Sequence, residues 1–134
     1  MKKLFTLCVL ILALKLTAQT KSSGDYSVTI SNVTTAQSSG EMFGVSYSRL
    51  NYKGNYIIYK KGAKIASQEF SALKGKNVTT VNISFDDSSG NTVTYDHETK
   101  LYEFMGEEKN LGNSKKTEDV ILNSILYYAE LMFK

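Results

Sequence analysis

The chain has 134 residues, one cysteine, no proline and no tryptophan, with a formal net charge of +3. Met1-Lys2-Lys3, the apolar run at 4–14 and Leu16-Thr17-Ala18 supply the basic, hydrophobic and small-residue parts of a secretory signal peptide, so cleavage is expected after Ala18. Lys2, Lys3 and Lys15 would leave with it, lowering Lys+Arg from 16 to 13 against 13 Asp and Glu. The remaining 116 residues (134 − 18) are neutral and make one domain. That neutrality removes the argument for nucleic acid or an anionic membrane as partner. Cys8 lies in the signal, which excludes a disulfide framework, a thiolate metal site and a cysteine nucleophile from the mature chain. The apolar run is too short to remain as a membrane span, and no second candidate follows.

Residues 19–24 (QTKSSG) are polar and aperiodic and read as a flexible leader, placing the folded domain at 25–134. Tyr26, Val28 and Ile30 alternate with Ser27, Thr29 and Ser31, the period of a half-buried strand. Gln37-Ser38-Ser39-Gly40 reads as a turn. Phe43, Val45 and Tyr47 share one side of the next strand, and the apolar parity switches at Leu50 and Tyr52, which predicts a β-bulge near Ser48 and Arg49. Lys53-Gly54-Asn55 reads as a hairpin turn into Tyr56-Ile57-Ile58-Tyr59. Lys60-Lys61-Gly62-Ala63 is the next turn, with a return strand over 64–70. Ala66, Phe70 and Leu73 also fit a helical spacing, so a short helix at 67–74 is the alternative there.

Val81, Ile83 and Phe85 alternate with polar residues, a turn at 86–91 leads to Val93 and Tyr95, and Asp96-His97-Glu98-Thr99 turns the chain into 101–105. Residues 106–116 form a polar loop. Thr117 reads as the N-cap of a helix over 118–133, with Glu118 and Asp119 complementing its positive end. Ile121, Leu122, Ile125, Tyr128, Ala129, Met132 and Phe133 form its apolar stripe, widened by Val120, Tyr127 and Leu131. The expected fold is mainly β: an antiparallel meander of about seven strands forming a curved sheet or small incomplete barrel, with one C-terminal amphipathic helix packed on it. Without proline, edge strands must be shielded by charge, bulges or cover.

Reactive constellations are missing. Asp96-His97-Glu98 places three ligand types in a row, but adjacent strand residues point to opposite faces and a single histidine makes no zinc site, so a turn is expected. Residues 86–97 imitate a calcium loop with the glycine at the fifth position and His97 in place of the terminal glutamate, which also favours a turn. Glu41, Glu69 and Glu103 are nominal carboxylates without a defined separation. The sequons at Asn32, Asn77 and Asn82 are uninformative beside a bacterial-type signal. No catalytic residue, metal or cofactor is assigned.

Charge is segregated: residues 49–76 carry seven basic side chains against Glu69, a balance of +6, and residues 77–134 carry ten acids against five lysines, a balance of −5. Tyr52, Tyr56 and Tyr59 among Lys60 and Lys61 therefore form a candidate interaction surface, with cross-strand packing and edge protection as the structural explanation. The meander followed by one helix resembles small lipocalin-type barrels, in which a helix packs outside the barrel. That resemblance implies a carrier of a small hydrophobic ligand, whose cavity Phe43, Val45, Tyr47, Val81, Ile83 and Phe85 would line. The leading expectation is an exported, non-enzymatic binding protein of the periplasm, outer-membrane surface or medium, its partner a protein or a small hydrophobic ligand of the cell envelope. The alternatives are the lipocalin-like carrier and an inhibitor of a cell-envelope hydrolase that presents the 106–116 loop.

Overall fold

A computed structural model describes residues 18–75, 78–85, 90–112, 114 and 116–133. Eight strands follow one another as an antiparallel meander: β1 (Gln19–Ser23), β2 (Tyr26–Met42), β3 (Val45–Lys60), β4 (Ala63–Gly75), β5 (Thr80–Phe85), β6 (Thr92–Asp96), β7 (Leu101–Phe104) and β8 (Glu107–Lys109). The sheet curls into a half-barrel around the C-terminal helix α1 (Thr117–Met132). Among the described residues no helix is long and apolar enough to cross a membrane.

Alternation builds the concave side. Val28 and Ile30, then Tyr52, Tyr56 and Ile58, Phe70 and Ala72, Val81, Ile83 and Phe85, Val93 and Tyr95, and Tyr102 and Phe104 are all buried, while their neighbours along each strand are not. Every residue of α1 from Val120 to Ala129 is buried. A helix buried around its whole circumference cannot sit on a flat surface, so the sheet must wrap it. The helix therefore occupies the inside of the curl, whereas the lipocalin-type expectation placed it outside. The Phe85 and Tyr128 rings stack at 4.1 Å, and Phe104 meets Tyr128 edge-on at 5.7 Å.

Two polar anchors hold the helix, one in its second turn and one at its C-terminal end. Asn123 Nδ2 donates to Tyr102 Oη at 3.0 Å and to Ser114 Oγ at 2.9 Å, and Tyr102 Oη donates to Ser114 Oγ at 3.2 Å. This triad is buried, and burial pushes the Tyr102 hydroxyl pKa up while its two polar partners oppose the shift. At the C-terminal end Tyr26 Oη (2.7 Å) and Lys60 Nζ (3.0 Å) both donate to the Phe133 carbonyl. The last turn carries no basic residue of its own, so Lys60 brings the cation that its negative end favours.

Several local expectations change. Residues 19–24 are largely strand: β1 pairs with β2 from Gln19↔Ile30 to Ser23↔Tyr26, and its polar composition reflects an edge strand exposed almost throughout. Thr20 Oγ1 and Thr29 Oγ1 meet across this pair at 2.8 Å. Gln37-Ser38-Ser39-Gly40 and Lys53-Gly54-Asn55 are strand interior, not turns. A Cβ on Gly54 would fall 2.9 Å from the Phe70 ring and 3.1 Å from the Ser31 carbonyl, so this glycine answers close packing. No bulge occurs at Ser48 and Arg49. The register shifts instead between Ser31 and Thr34, where Asn32 has φ +55°, and at Ile65, which lies between the Ile58↔Ala66 and Tyr59↔Lys64 pairs. Residues 67–74 are strand, 106–116 include the short β8, and Lys116, not Thr117, is the N-cap, without a side-chain cap bond. The turn at Lys61-Gly62 is as expected, and 86–89 within the expected 86–91 turn lie outside the described residues.

The core yields three expected outcomes in urea unfolding. Phe85→Ala loses stacking and leaves a cavity, lowering stability by about 3–5 kcal/mol. Tyr102→Phe removes one hydroxyl from a connected triad and costs about 1 kcal/mol. Tyr95 Oη is buried without a hydrogen-bond partner among the described residues, so Tyr95→Phe is neutral or stabilising; a loss above about 1 kcal/mol would show that this hydroxyl is satisfied.

Candidate interaction surface

The β2–β3 hairpin is much longer than the sheet behind it. β1 pairs β2 only as far as Ile30, and β4 pairs β3 only as far as Arg49, so the strands beyond these points project free to the turn at Phe43-Gly44. That turn has φ +53° and +78°, positive at both central residues, the arrangement of a type I′ turn for which Asn-Gly is the usual sequence. A bulky aromatic at positive φ is strained. Phe43 is also 98% exposed, so nothing within the described fold recovers that strain.

Beside the projecting hairpin lie a cleft of about 500 Å³ and, on the convex face, another of about 430 Å³. The larger is polar at its mouth, with Asn32, Lys53, Asn55 and Glu69 around Gly54 and Phe70. The second is more apolar: Val45, Tyr47 and Arg49 from β3, Leu73 from β4 and Val78 from the β4–β5 connection line it. Val45 and Val78 are 67% and 51% exposed. The Arg49 guanidinium lies 4.8 Å from the Tyr47 ring centre, a cation–π contact that holds the arginine on the rim. Lys74 Nζ donates to the Gly75 and Val78 carbonyls and so positions the Val78 wall.

The six residues expected to line an internal cavity divide by face. Val81, Ile83 and Phe85 are buried against other core residues and α1, and Val81 and Ile83 have no exposed surface. Phe43, Val45 and Tyr47 do not join them: parity puts Val45 and Tyr47 on the convex face and Phe43 at the turn. The expected tyrosine and lysine surface also divides. Tyr52 and Tyr56 belong to the core, where Tyr56 meets Phe85 edge-on at 5.9 Å. Lys60 serves the helix end and rests 5.6 Å over the Tyr26 ring. Tyr59 remains half-buried, and Lys61 is exposed in its turn at φ +52°. Leu73 and Val78 were missed because only the strand register brings them beside Tyr47; their sequence neighbours give no such sign.

The remaining candidate chemistry is structural. Asp96 Oδ1 accepts the Glu98 backbone N–H at 2.8 Å, which lowers the Asp96 pKa, and the His97 N–H donates to the Thr79 carbonyl at 2.8 Å. Burial lowers the His97 pKa below 6.5, assisted by Lys74 and Lys100 and opposed by Asp96. Glu41, Glu69 and Glu103 stand on β2, β4 and β7, and among the described residues no His, Cys, Asp and Glu side chains cluster as a metal site. The first four residues of the imitated calcium loop, 86–89, lie outside the described residues. Compared with known protein families, with curated proteins and with solved structures, the chain matches none. Fold and surface thus define a class by architecture alone: a helix-filled antiparallel half-barrel with a projecting hairpin.

Two measurements test this geometry. Phe43→Asn supplies the residue a type I′ turn favours and is expected to raise stability by about 1 kcal/mol, read from the urea midpoint; a loss would mean that Phe43 packs against the fold. For His97 the lowered folded pKa means that the unfolded chain binds the extra proton first, so stability falls as pH drops through 6.5 toward the folded value. His97→Gln is expected to flatten that part of the stability–pH curve, and an unchanged slope would assign it to other groups.

Proposed function

We propose that this is an exported, non-enzymatic binding protein that recognises a partner protein of the cell envelope through the convex cleft of Val45, Tyr47, Arg49, Leu73 and Val78. The observation that carries this reading is the cleft itself: apolar walls left half-open to solvent, with an arginine stacked on their rim. A contiguous apolar recess with a polar border is the usual form of a contact site, and tyrosine and arginine are the side chains most often decisive in one. The +6 balance of residues 49–76 favours a partner whose apolar contact is bordered by carboxylates. Export to the periplasm, outer-membrane surface or medium rests on the signal-like first eighteen residues.

Site-specific photo-crosslinking in cells of the source organism tests the reading. A photoreactive phenylalanine at Val78 is expected to give one discrete adduct whose mass is not a multiple of this chain, and the same group at Ile65, exposed elsewhere on β4, is expected to give none. Equal smears from both positions would sink the proposed surface. N-terminal sequencing of the recovered chain is expected to begin at Gln19, and an intact Met1 in the soluble cytoplasmic fraction would remove the export half of the reading.

A further inference from the structure

Between Thr34 and Met42 the outer edge of β2 has no neighbouring strand among the described residues, because β1 pairs only with Tyr26 to Ile30. The two-residue turn makes Met42↔Val45 a hydrogen-bonded pair, and alternation from there points the backbone N–H and C=O groups of Thr35, Gln37, Ser39 and Glu41 away from β3. Edge strands are ordinarily guarded by lysine, proline or a bulge. This stretch, TTAQSSGEM, has no lysine and no proline; its only charge is Glu41, and the β2 bulge lies before it. It is an open template for strand addition.

We propose that the occupant is a second copy of this chain, its β2 edge paired antiparallel with this one about a two-fold axis at Ser38. The argument is shape. The Tyr47 ring lies across Gly40, so closely that a Cβ there would come 2.7 Å from Tyr47 Oη, and this carries the ring toward the free edge on the convex face. An axis at Ser38 sets Gly40 opposite Ala36 of the other copy, the smallest side chain in the segment, and each ring gains room to extend over the seam. An axis at Gly40 would drive the two rings together, and one at Ser39 would place Ser38 under each.

Charge agrees with that register. Glu41 falls opposite Thr35, and the Ser38 pair stands between the two copies' Arg49 side chains, so no like charges meet directly. Four outward-facing residues per copy exchange about eight backbone hydrogen bonds. This pairing does not rest on the convex cleft's being a partner site, although it shares Tyr47 and Arg49 with that cleft, and it joins the two sheets into one continuous surface.

Cysteine placement tests both the dimer and its register in the full chain, expressed in a bacterial host and purified as that host yields it, with Cys8→Ser as background. Ser38 pairs with itself at a non-hydrogen-bonded position, where Cα atoms stand about 4.5 Å apart, within disulfide range. Ser38→Cys is expected to oxidise to a covalent dimer of twice the chain mass, whereas the Ala36→Cys thiol stays titratable. In sedimentation equilibrium the unsubstituted chain is expected to be dimeric at about 100 μM, and Ser38→Asp, which faces Arg49 within its own hairpin and its like across the axis, to weaken association by at least roughly tenfold. A monomeric unsubstituted chain, as required if the edge serves an extended segment of another protein, would overturn the proposal. So would a dimer in which Ser38→Cys does not cross-link, or equal cross-linking from both cysteines.

Discussion

The structure depends on one constraint: a single helix that is buried on all sides has to be enclosed by a single sheet. From Val120 to Ala129 every residue of α1 is withdrawn from solvent, and no second layer of helices is present among the described residues to share that burial. The curl of the meander follows from this. Strands toward both ends of the sheet hold the helix: Tyr26 of β2, next to the edge strand β1, donates to the Phe133 carbonyl just past its C-terminus, and Tyr127 Oη donates to the Glu107 carbonyl of the edge strand β8 at 3.1 Å. The Lys109–Glu130 ion pair at 3.0 Å adds little to this closure, since both side chains are solvent-accessible. Apolar burial and the enclosed Asn123–Tyr102–Ser114 triad do most of the holding.

Filling the curl with a helix determines where function can lie. A barrel that carries a ligand keeps its interior open, but here Phe85 of β5 and Phe104 of β7 meet Tyr128 of α1, and Tyr56 of β3 packs edge-on against Phe85, in the space a ligand would take. That leaves the convex face and the hairpin that outruns the sheet as the surfaces on which the proposed recognition would take place. Both features share an origin: the helix and the shorter strands cover only the lower part of β2 and β3. The remainder is free to serve as a surface because it is not needed as core.

How much of this could be read from the sequence follows the same division. β5, β6 and β7 were legible because one face of each is buried and the other is not, so Val81, Ile83 and Phe85 mark their strand by themselves. The mainly β architecture and the C-terminal helix followed. Residues 34–49 were misread because both faces are largely exposed: serine and glycine there lack the apolar rhythm of a strand and imitate a turn. Gly54 misled for the opposite reason, being a buried strand residue whose missing side chain accommodates Phe70. The cleft was only half legible. Tyr47 and Arg49 stand together in sequence, but Leu73 and Val78 reach them through the Arg49↔Gly75 and Asn51↔Leu73 register, which no local pattern encodes.

The parity change between Tyr47 and Tyr52 shows how one sequence signal can carry the right information under the wrong cause. A bulge would have kept Val45, Tyr47, Leu50 and Tyr52 on one side of the sheet and sent all four toward the core. β3 instead runs regularly through Ser48 and Arg49, so the same residues divide between faces: Leu50 and Tyr52 belong to the concave side, Val45 and Tyr47 to the convex. An apolar residue on the wrong parity of a regular strand is surface that the core does not use. Tyr47 is the clearest case, since one ring both supports Arg49 and covers the bare backbone at Gly40, joining the convex cleft to the open edge of β2.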